Sequence, residues 1–180
     1  MTGGLDDNDV PARVFEALFE RAELPLTPAV LEELAAIGWR RGDGSKEYSA
    51  KTWRQAIELA RRHLHPELSE RDGFRSLGRA FALGFGRTVV GRVFRSTAPL
   101  FGLERTFLAV PKYLHAVRKR MRVEMLVENK RHLRLLAWDE HSNPEFIAGC
   151  MHGIFDVFDV TPDIEVSLNE PGHFVLELRW

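Results

Sequence analysis

Apolar residues recur every three or four positions over the first two thirds of the chain and every second position over most of the last third. Helices therefore come first and a sheet follows. From Pro11, a first-turn residue, Val14, Phe15, Leu18 and Phe19 form one stripe and predict a helix. Thr27 before Pro28 makes an N-cap and first-turn pair; Leu31, Leu34 and Ile37 continue the second helix until Gly38 stops it. Trp53, Ile57, Ala60 and Leu64 give a third, ended by Pro66. Ser69 with Asp72 three residues on has the form of a cap. Beyond it Phe74, Leu77 and Phe81 carry a long fourth helix into GFGRTVVGRVF, with Gly84 its weak point. Residues 103–121 are helical in period again, kinked or divided by Pro111.

Within the fourth helix Gly78, Ala82 and Gly86 fall four apart, and Gly84, Thr88 and Gly91 line a neighbouring strip. A helical glycine costs about 1 kcal/mol against alanine, so this many imply either a close backbone approach or local non-helical backbone. Both readings stay open. In the last third, Val123, Met125 and Val127 alternate with Arg122, Glu124 and Glu128, and after the turn-like NKR Leu133, Leu135 and Ala137 alternate with Arg134 and Leu136. Ile164, Val166 and Leu168 precede the turn NEPG, after which Phe174, Leu176, Leu178 and Trp180 alternate. The expected fold is α+β: a helical layer of about five helices on a four-stranded antiparallel sheet of order ββαββ, one face covered and the other wetter. Residues 1–10 read as a flexible tail and 11–180 as a single domain.

Between the two hairpins lies EFIAGCMHGIFDVFDV, which sets the only cysteine two positions before a histidine. Phe146, Ile147, Cys150, Ile154, Val157 and Phe158 have helical spacing. On a helix, Cys150 and His152 stand roughly 200° apart, so the thiol enters the core while the imidazole faces away. The pair is then neither a catalytic dyad nor half a metal site, and Cys150 is a buried small hydrophobe. His152 and Asp156, one turn apart, read as an exposed pair.

Composition narrows the function classes. With 25 basic and 26 acidic residues the net charge is -1, and no overall field steers the chain to nucleic acid. No apolar run approaches the ~18 residues of a membrane span, and the amino end lacks the basic and apolar regions of a secretory signal, so a cytoplasmic protein is expected. GFGRTVVG lacks the spacing of a phosphate-binding glycine loop. His63 and His65 flank a helix end, where cationic side chains meet the dipole and the backbone carbonyls, and they read as that rather than as metal ligands. The basic run holding Lys112, Arg118, Lys119, Arg120 and Arg122 reads as a solvated helix end. No catalytic signature is present, so no enzyme is expected.

The segments VFEALFERAELPLTP, IELARRHLHPELSERDGFRSLGRAFALGFGRTVVGR, PEFIAGCMHGIFDVF and FVLELRW resemble a myxobacterial paralogous family of short proteins of unknown function. The resemblance covers nearly the whole chain after the tail. In element order the chain is also similar to haem-nitric-oxide-binding and vinyl-reductase-like ligand-binding domains, and to trafficking subunits of that fold. That likeness implies a sensory or regulatory domain holding an apolar small molecule between helices and sheet. Phe74, Phe81, Phe107, Phe146, Cys150 and Ile154 are the candidate lining. No cofactor is expected: the only tyrosines are Tyr48 and Tyr113, the YxSxR motif of the haem sensors is missing, and haem is set aside with His115 as the first axial candidate. The alternative is an adaptor or homodimer using the small-residue face at Gly78, Ala82 and Gly86 or an exposed hairpin edge.

Overall fold

The structure of the protein, a computed structural model, describes residues 8–180. Seven of the expected tail positions lie outside the described residues. Residues 8–10 correct the tail boundary: the strand β1 (Asn8–Pro11) pairs antiparallel with β2 (Glu47–Ser49), a two-stranded ribbon whose first strand begins within the expected tail.

Helix α1 (Ala12–Phe19) and α2 (Pro28–Ala36) start where the pattern placed them, and the Thr27 hydroxyl accepts from the Val30 N–H as the cap predicts. Helix α3 (Ala50–Leu64) is capped by Ser49, and α4 (Glu70–Gly86) by Ser69, whose oxygen accepts from the Asp72 N–H at 3.1 Å. The expected long fourth helix, with its weak point at Gly84, breaks at Arg87, and α5 (Val89–Phe101) begins afresh with the Thr88 hydroxyl accepting from the Gly91 N–H at 3.0 Å. Gly91 permits the fold-back, because a Cβ there would sit 1.9 Å from the Phe85 carbonyl oxygen. Likewise the fifth expected helix divides ahead of Pro111 into α6 (Leu103–Leu108) and α7 (Val110–Val117).

Strands β3 (Arg122–Asn129), β4 (His132–Trp138), β5 (Asp163–Glu170) and β6 (His173–Arg179) form the antiparallel sheet, in the order β3-β4-β6-β5. Helix α8 (Pro144–Phe155) joins the two hairpins, so the ββαββ order holds. Register sets Leu133 against Leu178, Leu135 against Leu176 and Ala137 against Phe174, all buried on the inner face. The central strands thus carry the core, while β3 is an edge with Leu126 and Val127 exposed. At the amino end Phe15, Phe19, Trp39, Tyr48 and Trp53 cluster, the Phe15 and Trp39 rings stacked 6.0 Å apart.

Candidate functional site

Helices α4 and α8 position the site, and their sequences explain how closely they pack. Gly78 and Gly149 place bare backbone at the crossing, and Gly153 receives the Cβ of Ala82. Ion pairs clamp both ends: Arg75 Nε donates to Glu145 at 2.6 Å, and Arg79 donates through two nitrogens to both oxygens of Asp156 at 2.7 Å. The small-residue face read from the sequence as an interaction surface is therefore spent inside the chain. Gly78 is buried against α8, Ala82 meets Gly153, and Gly86 lies beside the aliphatic stem of Arg95. Asp156 pairs with Arg79 and acts on His152, its expected partner, through its charge.

Beyond this crossing α4, α5, α7 and α8 leave a cavity of about 120 Å³, closed at one end by the short turn Asp156–Phe158. Its wall is apolar, built on Phe81, Phe85, Val110, Leu114, Met151 and Ile154. Phe94 and Tyr113 stand edge to face over it, centroids 5.2 Å apart. Arg95 and Asp156 supply charge at the wall. Of the residues proposed from the sequence, Phe81, Cys150 and Ile154 line this cavity. Phe146 packs against Trp53 and Phe81 and borders a smaller neighbouring void that Cys150 also touches. Phe74 lies beneath the Arg61 guanidinium, and Phe107 packs on Phe155 and Trp180. Sequence reasoning passed over Val110, Leu114 and Val117, although their i, i+4, i+7 spacing in VPKYLHAV was a usable signal.

The lone thiol faces inward, as its helical position required. Burial pushes the Cys150 thiol far above its ordinary value, so it stays protonated and unreactive. His152 turns away on α8; burial first, then the Arg75 and Arg79 guanidiniums, hold its imidazole below the usual histidine value against the pull of Asp156. His63 does meet an acid, Glu33, at 3.0 Å, but among the described residues no group of three His, Cys, Asp or Glu side chains could hold a metal. Much of the basic run is paired. Arg118 meets Asp139 at 2.9 Å, Lys119 meets Glu47, and Arg122 lies 4.6 Å over the Trp138 ring.

The fold is shared with solved structures of H-NOX proteins. Over 94% of this chain and 96% of the other, it superposes on the Fe(II) unliganded H-NOX protein from K. algicida with a TM-score of 0.66 at 12% identity. The H-NOX protein from S. oneidensis in the Fe(II)NO state gives 0.66 at 13% identity, over 94% of this chain and 98% of that one. An oxygen-binding H-NOX domain related to soluble guanylate cyclases gives 0.60 at 14%, over 93% and 88%. Such identities establish the fold alone. No curated protein matches the chain in sequence.

These structures correct the expectation of no cofactor. Heme is the subject of further structures on this fold, so the absence of a cofactor no longer stands. The residues themselves do not fit a histidine-ligated heme. His115 is exposed on α7 and does not line the cavity, no histidine does so among the described residues, and Cys150 is held as the neutral thiol. Residues 8–180 match the model of one sequence family over their full extent, and the chain belongs to that family, the proteins of unknown function designated DUF2378.

Proposed function

We propose that the protein is a non-enzymatic sensory or regulatory domain that holds a small apolar molecule between α4, α5, α7 and α8. The observation that carries this reading is the cavity itself: apolar walls from four helices around about 120 Å³, with a few polar groups at one side. An engineered apolar cavity of about 150 Å³ in another protein takes up benzene, so this volume suits a small hydrocarbon or one end of a longer chain. The shared fold of ligand-binding H-NOX proteins supports a binding rather than a catalytic role by analogy of architecture. The adaptor alternative loses one of its two surfaces, because the Gly78 face is occupied by α8.

Native mass spectrometry of the purified protein, beside its denatured mass, tests the reading. A retained small molecule is expected, and Ile154→Phe, which fills the cavity, should lose it while the fold persists by circular dichroism. Retention unchanged in that variant places the guest elsewhere. A Soret band in the absorption spectrum would make heme the occupant and overturn the proposal.

A further inference from the structure

Among the described residues helix α5 is the most exposed apolar element, and none of them covers its outer face. Val89, Val93 and Leu100 are 70%, 59% and 81% exposed, and Val90 and Phe101 extend the surface at 55% and 60%. At 100° per residue, Val89, Val93 and Leu100 fall within a 40° sector opposite Gly91 and Ala98, the buried positions of the helix. The helix lies on the body through Gly91, Phe94 and Ala98 and turns its valines, Leu100 and Phe101 outward. An apolar surface of this kind marks an interaction site rather than a scatter of exposed residues.

Charge identifies the partner. From Val89 to Lys112 the chain has four basic residues, Arg92, Arg95, Arg105 and Lys112, against Glu104 alone, in a protein whose net charge is -1. All four are exposed, and none has an ion-pair partner among the described residues. Arg92 stands on the flank of α5 beside the apolar sector, while Arg95 lies further round, its stem against Gly86. A helix with an outward apolar face and a guanidinium flank is the arrangement that lies in the headgroup region of an anionic bilayer. In a two-fold dimer this basic segment would meet a second basic segment, with Glu104 the one acid between Val89 and Lys112 to offset it, which disfavours a second copy.

We propose that α5 docks the protein peripherally on an anionic lipid surface, with Leu100, Val93, Val89 and Phe101 entering the interface and Arg92 and Arg105 meeting lipid phosphates. This holds whether or not the cavity is filled. No helix of the described residues is long and apolar enough to span a membrane, so the contact is interfacial. Flotation with vesicles of phosphatidylcholine alone, or mixed equally with phosphatidylglycerol, tests it. The protein should float with the anionic vesicles only, and less so as salt is raised. Leu100→Asp should lower partition at least about tenfold, since it removes one fully buried leucine from the interface. The pair Arg92→Glu with Arg105→Glu should act comparably while leaving the cavity wall untouched. Both changes are on exposed positions, and an unchanged circular dichroism spectrum verifies folding. Absent flotation at low salt, or equal flotation of wild type and Leu100→Asp, overturns the proposal. So does light scattering that shows a dimer dissolved by Leu100→Asp, which would make a second copy the occupant.

Discussion

Gly78 of α4 and Gly149 of α8 meet face to face, with a Cβ on Gly78 falling 3.0 Å from the Gly149 Cα and 2.0 Å from the Phe146 carbonyl oxygen. The contact is reciprocal, since a Cβ on Gly149 would fall 2.1 Å from the Arg75 carbonyl oxygen. Backbone stands on both sides, so neither helix yields by turning a side chain. Gly149→Ala should therefore destabilise by at least about 2 kcal/mol, overpacking outweighing the roughly 1 kcal/mol that alanine gains in helix propensity. Gly86→Ala is the control: its added methyl meets only the flexible stem of Arg95 at 2.8 Å, and it should stay within about 1 kcal/mol of wild type. Urea unfolding of the two variants decides the matter. Equal stabilities would mean the helices do not cross as closely as these distances require.

That crossing also shows how far the sequence could be read. The helix at 145 was legible because its apolar stripe has a helical period, and this alone separated Cys150 from His152. The glycines in residues 78–91 were visible too, but close approach and broken helix could not be told apart, and both occur: approach at Gly78, a break at Arg87. The cavity was only partly legible. Phe81, Cys150 and Ile154 lie on inward stripes of two helices, whereas the part of the wall from α5 and α7 is brought against them only by tertiary folding. The helical period read for the fourth helix runs only into the start of α5 and says nothing of which face turns inward. Val89, Val93 and Leu100 form a proper apolar stripe that faces out.

Arg118 and Asp139 form a nearly buried ion pair, their side chains 5% and 8% exposed, that ties the end of α7 to the end of β4. Asp139 does more than balance charge. Its Oδ1 accepts from the His141 N–H at 3.1 Å, and its Oδ2 accepts from the Ser142 hydroxyl, which shapes the turn leading to α8. Asp139→Ala should cost about 3 kcal/mol, because a guanidinium buried with a carboxylate loses that carboxylate. Replacing both residues, Arg118→Met with Asp139→Leu, should recover part of the loss, since an apolar pair needs no desolvation of charge. The double-mutant cycle from urea midpoints measures the coupling. A cycle that closes near zero would leave Asp139 as a turn former alone.

On the outer face of the sheet Glu177 lies in register with Arg134 and is 8% exposed. Burial pushes its carboxyl up, but the hydrogen bonds from His132 and Ser167 and the charge of Arg134 outweigh it and hold the group below its ordinary value of 4.5. Arg134 Nε donates to Oε1 at 3.0 Å, and the Ser167 hydroxyl donates to the same oxygen at 3.2 Å. Unfolded, the carboxyl takes up a proton near 4.5; folded, it does so only at lower pH. The unfolded chain thus binds more protons in that window, and the stabilisation present above 4.5 drains away as pH falls through the folded value. Glu177→Gln should consequently unfold more readily than wild type near neutral pH, with the gap narrowing below 4.5. Every other carboxylate is common to both proteins and cancels in the difference between their thermal midpoints across pH. A gap that stays constant down the acid limb would assign the loss to packing and remove the charge network from the account of this face.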